Sequence, residues 1–210
     1  HDAAVFVLER VGVISTGDAR DDNVTAFDEA NGIAFAGGCV VVASFAISSR
    51  AADLAPVQLE SLHLFCGKCS DALTEALASV EGINDIDIDR KKGTARFVSP
   101  NTDKTEAALA AMAAAGFFGT ARQADKEVDI PAEEIDADLK ADRIVFTGVH
   151  LCCRGCARGV AKGFADQKDV VAVDCDTDAG TVTLTGKDLP VAEMRDTLNK
   201  AGFHGKLVRK

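Results

Sequence analysis

"LHLFCGKC" (residues 62–69) and "VHLCCRGC" (149–156) share the frame His-Leu-x-Cys-x-x-Cys, 87 positions apart. Aligning His63 with His150 gives nine identities over 35 positions. They include both pairs of Cys-x-x-Cys cysteines, Asp87/Asp174, Asp89/Asp176, Gly93/Gly180 and Thr94/Thr181. After a one-residue gap, "AGFFG" (115–119) answers "AGFHG" (201–205). A period of this length marks a repeated structural unit, here about 65–70 residues, a plausible size for a small domain.

The pattern within each copy predicts the fold class. Residues 57–64 and 143–150 have the composition of a first strand. The cysteines then open a helix with apolar positions four apart: Cys69, Leu73, Leu77 and Val80 in one copy, Cys156, Val160 and Phe164 in the other. Ala72 and Ala76 align with Gly159 and Gly163, small residues that suggest a helix lying close on a sheet. Two alternating runs follow, "INDIDID" with "TARFV" and "VVAVDCD" with "TVTLT", each pair joined by a Gly-containing turn. The second helices present Ala108, Met112 and Ala115, or Met194, Leu198 and Ala201. They end at Gly116 and Gly202, as helices often end on glycine. Last strands are expected from Phe117 and Phe203. The order is βαββαβ twice, an α+β chain of two ferredoxin-like sandwiches in tandem.

The expected boundaries are 53–123 and 143–210 for the two repeats and 124–142 for an acidic linker. Ten of the linker's nineteen residues are charged and Pro131 interrupts it, which leaves too little apolar surface to fold alone. A short strand or turn around Val128–Ile130 is compatible with this. Residues 1–52 match neither repeat. Asn31–Ser49 is uncharged and near the length of a membrane span, yet rich in Gly, Ala and Ser. It reads equally as a signal or anchor remnant or as a buried element, and leaves membrane contact open. The signal reading would favour an exported protein over a cytoplasmic one.

A net charge of −10 argues against nucleic-acid binding, which needs a basic footprint. Seven cysteines, five of them inside the two motifs, point to metal or redox chemistry rather than a disulfide scaffold. At a strand–helix junction, the free N–H groups and positive dipole end of the helix favour thiolate over thiol. Paired thiolates select Cu(I), Zn(II) and heavier thiophilic ions over Mg or Ca.

Both repeats resemble the heavy-metal-associated domain of copper chaperones, metal-transporting ATPase tails and periplasmic mercury-binding proteins. The likeness rests on the loop cysteines, on "VEGINDI" (80–86) and more weakly "KDVVAV" (168–173), and on "AGF" in both copies. It implies metal ligation by Cys66 and Cys69 and by Cys153 and Cys156. It also brings the aromatic residues Phe117 and Phe203 near the loops. The ion implied is Cu(I), with Zn, Cd or Hg as alternatives, and the role is carriage, buffering or sensing without catalysis, possessing as partner a metal-transporting or metal-accepting protein. His63, His150, Leu64 and Leu151 depart from the family's Gly-Met. Cys152, standing where the first copy has Phe65, is either a third ligand or a small apolar filler. His63 and His150 suit hydrogen bonding or packing around the site better than ligation. Cys175 reads as a core residue, His204 carries a weak case for a site role, and the four aspartates read as a solvated strand face. The competing functions are a thiol–disulfide oxidoreductase using Cys-x-x-Cys and a protein-interaction module.

Overall fold

The computed structural model describes residues 55–208. The segment 1–52, with Cys39 and the uncharged run 31–49, lies outside the described residues. Among the described residues no helix is long and apolar enough to cross a membrane.

The first half runs β1 (Val57–Glu60), α1 (Gly67–Ala78), β2 (Asn84–Asp89), β3 (Thr94–Val98), α2 (Thr102–Ala114) and β4 (Thr120–Gln123), followed by β5 (Lys126–Val128). The second runs β6 (Lys140–Thr147), α3 (Arg154–Gly163), β7 (Val170–Asp176), β8 (Thr181–Pro190), α4 (Val191–Lys200) and β9 (Lys206–Leu207). The antiparallel sheets have orders β2-β3-β1-β4-β5 and β7-β8-β6-β9, so both are ferredoxin-like, with the first strand paired to the third and fourth. The alternation in β1 puts Val57 and Leu59 wholly inside against Leu73, Leu77, Phe97, Leu109 and Met112. Ile144, Phe146, Val160, Leu184 and Leu198 occupy the corresponding core of the second half.

The repeated aspartates have a structural task. Asp89 accepts from the N–H groups of Lys91 and Lys92, and Asp176 from those of Asp178 and Ala179, closing the two hairpin turns. The N–H of Leu62 donates to Gly93 O and that of Val149 to Gly180 O, at 3.0 Å each, tying each cysteine loop to the turn of its own hairpin.

The acidic stretch contributes β5, which overlaps the strand or turn expected around Val128–Ile130 and pairs with β4 through a tight turn at Ala124 and Asp125, both at positive φ. One expectation is corrected. The last strands begin at Thr120 and Lys206 rather than at the phenylalanines. Phe117 and Phe203 instead pair with each other, antiparallel, across the two halves.

That pairing follows from how α2 and α4 end. Phe117 N–H reaches back to Met112 O and Gly116 N–H to Ala113 O; Phe203 and Gly202 do the same toward Leu198 and Asn199. These are Schellman closures, which need a left-handed residue, and Gly116 and Gly202 supply it at φ +87° and +89°. The turned-out carbonyls then cross over: Gly202 O accepts from Phe118 N–H at 3.1 Å and Gly116 O from His204 N–H at 3.0 Å. A Cβ on Gly116 would lie 2.3 Å from His150 N, and one on Gly202 2.7 Å from His63 N. Gly148 is also left-handed, at φ +71°, with no atom within 4 Å of such a Cβ.

These three glycines separate two costs. Gly148→Ala is expected to lose only the conformational term, about 1–2 kcal/mol, by urea denaturation. Gly116→Ala and Gly202→Ala should lose clearly more, because their methyl groups enter the backbone of the opposite half. Equal losses at all three positions would mean that the seam does not form in solution.

Candidate metal centre

The first strand of each half delivers its cysteines to a helix N-terminus. Cys66 and Cys153 are the N-cap residues of α1 and α3, with extended backbone, and Cys69 and Cys156 follow in the first turn. Their N–H groups point back to the N-cap carbonyls at 3.2 and 3.0 Å. Because the halves dock through the Phe117–Phe203 seam, the two loops meet. Cys66 Sγ is 3.6 Å from Cys69 Sγ, and Cys153 Sγ is 3.7 Å from Cys156 Sγ. Across the halves, Cys152 Sγ is 3.3 Å from Cys66 and 3.5 Å from Cys69, and Cys69 is 3.8 Å from Cys156. Cys152 Sγ is also 3.7 Å from Cys156. Five thiols thus form one group, and Cys152 touches three of the other four.

The position shared by Phe65 and Cys152 is asymmetric. Phe65 lies outside, 53% exposed, with its ring over α3. A Cβ on Gly159 would stand 2.5 Å from that ring. Gly159 is therefore small because Phe65 covers it, and Gly163 because Ala201 does, at 2.7 Å from a Cβ there. Neither makes room for a sheet, as its alignment with alanine had suggested. Cys152 faces inward, where a phenylalanine would displace the thiols of the first loop.

His63 is buried, its ring stacked on Phe203 at 3.8 Å and on Phe117 at 4.7 Å between centroids. Its Nδ1 hydrogen-bonds Gly202 O of the other half. His150 stacks on Phe117 at 4.5 Å. The histidines and both seam aromatics thus pack as one stack beside the thiols. Cys175 is half-buried beside Ala157 O, and burial raises its thiol pKa. His204 stacks on Phe118, away from the cysteines.

Proton affinity is distributed unevenly over the thiols. The Cys156 thiol beside Cys69 holds the Cys69 pKa well below its ordinary range, and sharing that proton drives Cys156 up. Burial, then contact with Cys66, raises Cys152. The N–H of Cys156 at the helix start lowers Cys153. Helix position alone anticipated lowered values throughout; burial and proton sharing reverse the sign at Cys152 and Cys156.

A family model described as "Heavy-metal-associated domain" matches residues 62–118. Residues 62–118 are a heavy-metal-associated domain. Its match ends with the first half; the second half follows the same element order. Among solved structures, the N-terminal soluble domains of Bacillus subtilis CopA are 15% identical, over 74% of this chain and 95% of that one, with a TM-score of 0.26. The first two RRM domains of yeast poly(U)-binding protein Pub1 are 14% identical, over 74% and 99%, with a TM-score of 0.23. No curated protein matches.

Two outcomes are expected of the metal-free, reduced chain. Alkylation by iodoacetamide near neutral pH, followed by peptide mass spectrometry, should label Cys153 well before its neighbour Cys152. Labelling in the reverse order would contradict the distribution of protons above. Burial lowers the His63 pKa from 6.5 to about 4. The unfolded chain therefore binds the proton more readily, and stability present above pH 6.5 is lost as the pH falls toward 4. The loss amounts to about 3 kcal/mol at ~1.4 kcal/mol per pH unit. Urea denaturation of wild type at pH 7 and 4.5 should show most of it, and His63→Phe should flatten the dependence.

Proposed function

We propose that this chain binds soft, thiophilic metal ions, Cu(I) foremost and Zn, Cd or Hg as alternatives, through a single thiolate site shared by two domains. In this reading the domains are residues 53–123 and 143–210, joined by 124–142. The ligands are Cys66, Cys69, Cys153 and Cys156, with Cys152 as the cross-domain ligand. The observation that carries it is the Sγ spacing of 3.3–3.8 Å across the two loops. A tetrahedral site with metal–sulfur bonds of about 2.3 Å has edges of about 3.8 Å. The thiols are close to ligating separation before any ion arrives, so little reorganisation opposes binding. An ion held this way is shared between domains, in place of one independent ion in each.

The role that fits is carriage, buffering or sensing without catalysis. Cys66, Cys152 and Cys153 are half-buried and form the mouth of the group; Cys69 and Cys156 are buried behind them. An acceptor protein's thiolates would meet the mouth first and withdraw the ion by stepwise exchange. Lys68, Arg154 and Arg158 are exposed on the loops and helix beside it, which suits an acceptor with an acidic surface. A thiol–disulfide oxidoreductase would work with one accessible thiolate and a resolving partner within a single motif. Here the second cysteines, Cys69 and Cys156, each stand within 3.8 Å of a sulfur from the other half.

Titrating the reduced chain with Cu(I) against a competing chelator tests the reading. Tight binding is expected, with Cys152→Ser weakening it at least tenfold, a change of about 1.4 kcal/mol. Unchanged affinity in Cys152→Ser would reduce the site to separate two-cysteine loops. Tight binding that persists with all five cysteines replaced by serine would sink it.

A further inference from the structure

Beneath the thiol group lie two histidines that soft-ion binding leaves unused, beside one thiol that it shares. One ring nitrogen each of His63 and His150 and the Sγ of Cys69 all lie within 4.8 Å of one another. His63 Nδ1 faces Gly202 O. A carbonyl can only accept, so Nδ1 carries the proton and Nε2 the lone pair. That Nε2 is buried without a hydrogen-bond partner, as is Nε2 of His150. His63 itself is 3% exposed, and a buried imidazole nitrogen left unpaired is costly. The surrounding packing could not easily turn either ring to find a partner. His63 is sandwiched between Phe117 and Phe203, and His150 is stacked on Phe117. A histidine that donates one N–H to a backbone carbonyl while its other nitrogen stays free has the arrangement of a metal-ligating imidazole.

We propose that His63, His150 and Cys69 form a second, inner metal position for a borderline divalent ion of the Zn(II) class. Two imidazoles and one thiolate suit such an ion better than Cu(I), which prefers sulfur alone. A four-coordinate ion has one ligand still to find. Cys156, whose Sγ is 3.8 Å from that of Cys69, or a water would supply it. Bonds of about 2.0–2.3 Å need the donors somewhat closer than the present upper spacing, a change within reach of small side-chain rotations. Each half supplies one histidine, so the position exists only when the halves are docked. It shares Cys69, and Cys156 where that residue completes the shell, with the soft-ion reading and rests on that reading through these thiols.

Zn K-edge X-ray absorption on the reduced full chain, loaded with one equivalent of Zn(II), tests the proposal. The expected spectrum has a mixed shell, nitrogen at about 2.0–2.1 Å and sulfur at about 2.3 Å, with the outer-shell scattering of imidazole. His63→Phe and His150→Phe keep an aromatic ring in the stack and remove its nitrogens. Each should weaken Zn(II) binding at least tenfold while leaving Cu(I) affinity within about threefold. An all-sulfur shell in the wild-type chain, or failure to retain Zn(II), overturns the inner position whether or not the variants fold. An all-sulfur zinc shell beside tight Cu(I) binding would fail this proposal alone. An imidazole signature beside absent Cu(I) binding would fail the soft-ion reading instead.

Discussion

The arrangement of this protein depends on two glycine carbonyls. Each stands at the end of a helix that must stop in a left-handed turn, and each is turned outward by that closure toward the opposite half. Their bonds to Phe118 and His204, and the Phe117–Phe203 pairing between them, fix one half against the other through backbone. Backbone seams of this kind tolerate little drift, because a buried N–H or C=O without a partner costs more than a formed bond gains. The position of every thiol follows. The first cysteine of each Cys-x-x-Cys lies three residues after His63 or His150, whose backbone a Cβ on Gly202 or Gly116 would strike. The distance between the two helix N-termini is thus set by the closeness of chain to chain at the seam.

The approximate twofold relation between halves is broken where chemistry would need it broken. Two identical loops meeting face to face would bring two phenylalanines, or two extra cysteines, to one place. Phe65 occupies the outside over Gly159, and Cys152 the inside against Cys66 and Cys69. Each substitution makes the other workable: the missing side chain at 159 gives Phe65 a seat, and the missing ring at 152 gives the thiols room. The odd cysteine has its nearest sulfur, that of Cys66 at 3.3 Å, in the other repeat.

Much of this was legible in the sequence, and the boundary has a physical basis. Period-two and period-four patterns located the strands and helices, since burial against one's own sheet leaves a local trace. The repeat located the cysteine loops, and the shared His-Leu-x-Cys-x-x-Cys and Ala-Gly-Phe marked the residues that would matter. The meeting of the loops left no such trace. It depends on residues 139 positions apart, such as His63 and Gly202, which no local period connects. The small residues at 159 and 163 were correctly singled out but assigned to the wrong neighbour, because a missing side chain says that something is near without saying what. The short strand β5 overlaps the strand or turn expected around Val128–Ile130, in a charged segment that pairs through backbone with β4.

The same packing bears on how protons are distributed over the five thiols. Five thiolates in one half-buried pocket would repel strongly, and desolvation would penalise each. Burial raises the proton affinity of Cys152, contact with Cys69 raises that of Cys156, and contact with Cys156 lowers that of Cys69. The Cys69 and Cys156 sulfurs stand 3.8 Å apart, a separation that suits a shared proton and, in the proposed site, a shared cation. Metal and proton would then compete for one geometry. The halves would not need to rearrange to exchange one for the other, because the seam that sets the spacing is made of backbone.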